Sequence, residues 1–421
     1  MCGIRRHKAK RDNRCQSRKI KKEKKSADMK YDFDQVIDRS KNRAAKYDER
    51  VKKFGTEDVI PLWVADMDFR TAQPIIDACR QKAEEGIWGY TSRPDSYFEA
   101  VRSWEKRRNN WDVDTSLMSW SLGVVPALSV IVKLFSEEND KVMIQTPVHS
   151  EFYDVTEAWG REVVENPIVE KDGCWTIDFD DFEKKAKEVK IFLLCSPHNP
   201  LGIVWKREEL ERMARICIEN DVLLVSDEIH SDLIFNGKKH IPTASLSEEN
   251  QSRIISCVSA TKTFNLAGIQ ASTTIFPNQE MKERYDRFWM NMDIHRNNAF
   301  SSVAMEAAYN EGEEWLEQLL EYLSGNFAFI KEYFEKYIPE IKPNMPDATY
   351  LVWLDCRKLG MDNESLRKFM IEKAKLGLNE GNTFGRSLNG YMRLNAACPR
   401  SVLEKALGQL KDAVNSLKRK C

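Results

Sequence analysis

Four short apolar runs, at 141–145, 191–195, 222–225 and 254–258, are separated by helical patterning, and this alternation constrains the fold more than any other feature of the chain. Runs that are apolar throughout read as strands buried on both faces, and strands joined in parallel need a crossover, usually a helix. Between the second and third runs, Leu210, Met213, Ala214 and Cys217 fall at i, i+3, i+4 and i+7, which makes one apolar helical face, and Asn220-Asp221 stops it. The expected class is therefore α/β, with a mostly parallel sheet covered on both faces. After about residue 300 the texture changes. A long helical run over 304–337, interrupted at Glu311-Gly312-Glu313, leads to a strand at 350–354, a helix over 365–376 and a strand at 391–394, an α+β pattern for a smaller unit.

At 421 residues the chain has ample core for two or three structural units, and it carries no uncharged apolar run long enough for a membrane span. Ten cysteines are scattered without a C-x-x-C pair, which fits a reducing, cytoplasmic setting and offers neither a disulfide framework nor a metal site. Charge is unevenly placed: residues 1–28 hold twelve Lys/Arg against three Asp/Glu and show no apolar periodicity. That segment is expected to be a disordered basic tail. It lacks the apolar stretch of a secretory signal. A nucleic-acid arm, a targeting peptide and a start upstream of a natural beginning at Met29 all fit it, so it is assigned no function, and nucleic acid is not an expected partner.

The candidate chemistry lies where strands end. Ser259-Ala260-Thr261-Lys262 follows the run that ends at Val258, so Lys262 leaves the carboxyl end of the sheet, where open α/β folds collect ligands. An amine held there is desolvated and can form a Schiff base, although most loop lysines are simply solvated. Ser196-Pro197-His198-Asn199-Pro200-Leu201-Gly202 and Ser226-Asp227-Glu228-Ile229-His230 follow two other strands in the same way.

Taken in order, Asn-Pro-x-Gly, Asp-x-x-His and Ser-x-x-Lys resemble the fold-type I pyridoxal phosphate (PLP) enzymes, the aminotransferase class I/II superfamily, with matches from about Leu62 to Arg400. Within it, the runs at 61–69, 89–91, 123–128 and 391–395 are similar to the carbon-sulfur β-lyases of the MalY/PatB type. The resemblance implies a large domain with a mostly parallel seven-stranded sheet plus a smaller α+β domain. The expected division is a tail (1–28), an N-terminal segment packing with the small domain (29–70), a PLP-binding domain (71–310), and a linking helix with the small domain (311–421). It also implies a homodimer.

The same resemblance assigns roles. Lys262 is the expected catalytic lysine that binds the PLP aldehyde, and Asp227 is expected to keep the pyridine nitrogen protonated, because an opposite charge at contact favours the charged form. Asn199 and His230 are expected at the phenolic oxygen. For the phosphate the candidates are the first amides of a helix after Gly123, at Val124 and Val125, where free N–H groups and the helix dipole favour an anion, together with the Ser259 hydroxyl and Tyr90 from a dimer partner. A glycine followed by proline at a helix start is also ordinary capping. Arg393 is expected to clamp the substrate carboxylate in a bidentate pair, and Trp63 to line the entrance. Two features depart from the wider superfamily: Gln270 in place of a phosphate-binding arginine, and His230 in place of tyrosine, both in keeping with the lyase branch. His149 stands where an aromatic usually stacks on the ring, with Tyr153 as an alternative.

The expected activity is β-elimination from a sulfur-containing amino acid such as cystathionine, giving pyruvate, ammonia and a thiol. Two alternatives stay open on sequence: an aminotransferase, and a regulatory protein that binds a transcription factor on a PLP-enzyme scaffold.

Overall fold

The computed structural model describes residues 31–171 and 174–418. The basic tail assigned to 1–28, and the start considered at Met29, lie outside the described residues.

The main sheet has seven strands: β1 (Met118–Ser121), β2 (Lys141–Ile144), β3 (Glu162–Glu165), β4 (Ile191–Cys195), β5 (Leu223–Asp227), β6 (Ile255–Val258) and β7 (Ser272–Ile275). Their order across the sheet is β1-β7-β6-β5-β4-β2-β3, and only β7 runs antiparallel to its neighbours. The four runs picked out by their apolar character are β2, β4, β5 and β6. All five residues of β4 are buried, as are all four of β6, which is why these strands show no alternation.

Helices cover both faces. In α1 (Val124–Phe135), Ala127, Leu128 and Ile131 are fully buried, and in α2 (Arg207–Glu219) the predicted face of Leu210, Met213, Ala214 and Cys217 is the buried one. Each Leu, Ile or Met among them contributes roughly 1.5–3 kcal/mol on burial. The long helical run forms as two helices, α3 (Ser301–Glu311) and α4 (Glu313–Tyr337), divided at Gly312. A Cβ on Gly312 would lie 2.4 Å from the Phe264 ring and 2.5 Å from the Ala308 carbonyl oxygen. The break is thus a close approach to the segment that carries Lys262.

The smaller sheet is antiparallel, ordered β8-β9-β11-β10 from β8 (Lys342–Asn344), β9 (Leu351–Asp355), β10 (Asn379–Glu380) and β11 (Tyr391–Asn395). A final helix, α5 (Arg400–Lys418), packs on α4. One sequence boundary is corrected here. The helix expected to run to Leu376 ends in a short π-helical stretch over 369–373, Lys375 is left-handed at φ 56°, and Leu376 pairs with Ile60 in a two-stranded parallel ladder. The apolar side chain at 376 serves a strand, which helical spacing alone could not distinguish. No helix among the described residues is long and apolar enough to cross a membrane.

Candidate active site

The strand-end motifs meet in one cavity of about 320 Å³ at the carboxyl edge of the main sheet, facing the smaller sheet. Lys262, Asp227, Asn199, His230, Val124, Val125, His149, Arg393 and Trp63 all line it. A larger depression of about 430 Å³ at the opposite edge, lined by Leu134, Lys190, Asp221 and Arg253 among others, gathers none of these groups.

Lys262 sits on a single helical turn, Ala260–Thr263, directly after β6, and its Nζ donates to the Ala65 carbonyl at 2.8 Å. Burial lowers the amine's pKa and Arg393 lowers it further, while Asp66, Glu151 and Asp227 pull the other way. The net effect moves it towards the free-base form that a nucleophile or proton acceptor needs. Asp227 ends β5 with 7 % exposure, and its Oδ1 accepts the Ile229 amide at 3.1 Å. Burial pushes its carboxyl up to about 6, against the lowering effects of that bond, His149 and Lys262. A carboxyl desolvated this far has a strong claim on a cationic partner.

His230 is buried, and its Nδ1 has no hydrogen-bond partner among the described residues. Burial first, then Lys262, His149 and Arg393, lower its pKa well below the usual imidazole range, so the ring is neutral. Arg393, on β11, donates from Nη1 to Asn199 Oδ1 (3.1 Å) and from Nη2 to the Trp63 carbonyl (2.9 Å), and its guanidinium lies 4.7 Å from the centre of the Phe384 ring. Its buried Nε has no hydrogen-bond partner among the described residues. Desolvation lowers its pKa to about 10. With Asn199 accepting through Oδ1, its amide nitrogen remains as a donor.

Gly202 explains the last position of Asn-Pro-x-Gly. Its φ is 65°, and a Cβ there would lie 2.4 Å from Pro346 Cβ and 2.9 Å from the Ala348 carbonyl. Its own carbonyl accepts the amides of Asp347 and Ala348, so this turn docks the chain that leads into β9.

Three expected residues do not line the cavity. The Ser259 hydroxyl caps the Lys262 turn, accepting the Thr261 amide at 3.1 Å and donating to the Ala271 carbonyl at 2.7 Å. Tyr90 is 96 % exposed on its own chain, in a segment that also exposes Ile87 and Trp88. Tyr153 turns away to donate to Glu165 at 2.8 Å, so His149 is the residue at the cavity wall. Sequence reasoning missed Glu151, Asn379 and Phe384, which also line the cavity. Glu151 lies two positions from His149, and that spacing was the one available signal. Asn379 and Phe384 come from a stretch whose register only the smaller sheet reveals.

These residues fit PLP. The cavity volume suits a small cofactor with substrate, an orphaned imidazole nitrogen and a desolvated carboxyl flank it, and the first turn of α1, with N–H groups of Val124 and Val125, opens onto it.

Comparison with known proteins agrees. Residues 57–410 match the family described as aminotransferase class I and II. The chain is 39% identical over 385 residues to "Cystathionine beta-lyase PatB" of Bacillus subtilis (strain 168), covering 91% of this chain and 100% of that protein. Among solved structures, PLP-containing cystalysin from Treponema denticola superposes with a TM-score of 0.89 at 36% identity, covering 92% of this chain and 100% of that one. The PLP-bound C-S lyase from Staphylococcus hominis gives 0.85 at 34% identity, covering 92% and 98%.

Proposed function

We infer, from the premise that the chain belongs to the aminotransferase class I and II family, that it is a PLP-dependent carbon-sulfur β-lyase. It acts on a sulfur-containing amino acid of the cystathionine or cysteine-conjugate type and releases pyruvate, ammonia and a thiol. The observation that carries this reading is the convergence of Lys262, Asp227 and Arg393 on one cavity in a chain whose relatives are named as lyases of this chemistry.

When bound, PLP supplies an electron-withdrawing ring conjugated to the substrate nitrogen. Asp227 holds a carboxylate for the ring nitrogen, and Asn199 and His230 stand beside it for the phenolic oxygen. The amides of Val124 and Val125 serve the phosphate, with Ser259 ordering the Lys262 turn as its cap. Arg393 takes the α-carboxylate and so fixes which Cα bond faces Lys262. The Lys262 Nζ, with its lowered proton affinity, accepts the Cα proton as general base. The electron pair left behind forms the Cα–Cβ double bond as the Cβ–S bond breaks, and sulfur leaves with its own pair as a thiolate. Trp63 walls the entrance, its Nε1 donating to the Lys46 carbonyl at 3.1 Å.

The domain division given above, the homodimer and a cytoplasmic setting are part of the proposal. The exposed Ile87, Trp88 and Tyr90 support a partner surface, and six cysteines that are buried or half-buried and free (79, 195, 217, 257, 356, 398) support a reducing compartment. Steady pyruvate release from cystathionine by purified protein, abolished in Lys262→Ala, is the expected result. Keto-acid formation from ordinary amino acids without pyruvate from any β-thio substrate would overturn it.

A further inference from the structure

Asp232 is a buried carboxylate that the reaction above leaves without a task. It follows Asp227 in the segment Asp227-Glu228-Ile229-His230-Ser231-Asp232, but it lies behind the cavity and does not line it. Its Oδ2 accepts from the Thr263 hydroxyl at 2.8 Å, and its Oδ1 accepts from the Trp104 indole Nε1 at 2.9 Å. Both donors are buried as well. Burial raises the pKa of the carboxyl, while the Thr263 hydroxyl, Arg108, Trp104 and His240 pull it back.

Thr263 directly follows Lys262 and ends the single helical turn Ala260–Thr263. One turn cannot hold its own shape, because its few internal bonds do not offset the cost of fixing the backbone. It therefore depends on anchors at its ends. At the start, the Ser259 hydroxyl fastens it to the Ala271 carbonyl. At the end, the Thr263 hydroxyl fastens it to Asp232. The anchor itself is stiff. Two consecutive turns shape the segment that carries it, with the Ser231 amide donating to the Glu228 carbonyl and the Leu233 amide to the His230 carbonyl, both at 3.0 Å. Glu228 is held in turn by His240 and by the Thr243 amide, each at 3.0 Å. One short segment thus carries Asp227, His230 and the group that ties down the Lys262 turn. Trp104 needs Asp232 less, since its ring also packs on Phe264 and Tyr309 at 5.8 and 5.7 Å between centroids.

We propose that Asp232 is a positioning residue that acts through the Thr263 hydroxyl to fix the Lys262 turn relative to Asp227 and His230. The proposal rests on the reading of Lys262 as the lysine of a PLP enzyme, and is independent of which substituent leaves. Its physical basis is that proton transfer needs donor and acceptor about 2.6–3.2 Å apart. A loosened turn spreads the amine over longer distances, which costs rate and spares binding, because Arg393 holds the substrate from the smaller sheet.

The test uses the holoenzyme and L-alanine, which has no leaving group, and follows exchange of its Cα proton with heavy water by NMR. Thr263→Val replaces the hydroxyl with a methyl group, Thr263→Ala removes it, and Thr263→Ser keeps the donor. The maximal exchange rate should fall about tenfold or more in the Val and Ala variants, with half-saturation within about twofold of wild type. Thr263→Ser should recover most of the rate. The visible circular dichroism of bound PLP should weaken in the same order. Asp232→Ala should match Thr263→Val, and the double variant should be no slower than Asp232→Ala alone. A lowered thermal midpoint with wild-type exchange and dichroism in Thr263→Val would make the contact merely structural and overturn the proposal. Thr263→Ser as slow as Thr263→Val, or additive losses in the double variant, would overturn it too. Should Thr263→Val not fold, Thr263→Ala against Thr263→Ser decides. If wild type exchanges the alanine proton in this pattern yet releases no pyruvate from cystathionine, the lyase reading fails and the role of Asp232 stands.

Discussion

Arg393 Nη1 donates to Asn199 Oδ1 at 3.1 Å, so the arginine of the smaller sheet proposed to bind the substrate carboxylate is held by the side chain of the main domain proposed to serve the cofactor ring. The two residues are 194 positions apart in sequence. In the proposed site that bond would couple substrate position to cofactor position, while the Gly202 turn docks the 346–348 segment that leads into β9.

Arg393→Lys removes that coupling. A lysine ammonium is a point donor and cannot serve Asn199, the Trp63 carbonyl and a carboxylate in one plane. A fall in kcat/KM of about 10–100-fold is expected, carried mostly by KM, while the absorption spectrum of bound PLP stays close to that of wild type. Near-normal KM for cystathionine would place the carboxylate site elsewhere.

Asp227 makes PLP affinity depend on pH. Burial raises its carboxyl to about 6 despite the lowering influence of His149 and Lys262, so below that pH it carries a proton and offers the ring nitrogen no charge. A raised acid favours the protonated folded state, and binding a cationic ring must expel that proton. Affinity for PLP should therefore weaken as pH falls through about 6 and level off above it. In Asp227→Asn this dependence should flatten, and turnover should drop on the order of 10²-fold or more. Equilibrium binding at a series of pH values, wild type beside variant, measures both.

Tyr90 is exposed on its own chain, in a segment with Ile87 at 80 % and Trp88 at 64 % exposure. If this segment reaches a partner's cofactor, Tyr90→Phe weakens PLP retention although no atom of its own cavity changes. Mixing inactive Tyr90→Phe and Lys262→Ala chains should then restore part of the activity, because one site of each hybrid carries both groups. Sedimentation as an active monomer would end this reading.

Gly312→Ala tests the packing behind the proposed catalytic lysine. The added methyl meets Phe264, two residues after Lys262, at 2.4 Å, and Phe264 also packs edge-on against Trp104. Overpacking of this kind costs about 1–3 kcal/mol, more than the helix propensity gained. The denaturation midpoint should fall, and activity with it, since Phe264 and Lys262 move on one short segment.

The sequence by itself determined the strands that are buried on both faces, the helical face of α2, and the three motifs that end β4, β5 and β6. Each of these is written in local spacing, and burial on two sides leaves an unbroken apolar run that can be read without coordinates. For that reason Lys262, Asp227 and Asn199 were legible as strand-end candidates, while Arg393 was legible through the resemblance carried by the 391–395 run. The tertiary structure alone decided what depends on register between distant segments. Leu376 became a strand partner of Ile60, Ser259 turned its hydroxyl to the Ala271 carbonyl, and Asn379 came opposite Arg393. Glu151 shows the difference most plainly. Its charge was visible in the chain, but its meaning as an anion depends on His149 and Ser150 at hydrogen-bonding distance beside a cavity that two sheets enclose. Charge is a property of the residue; its local dielectric and its neighbours belong to the fold.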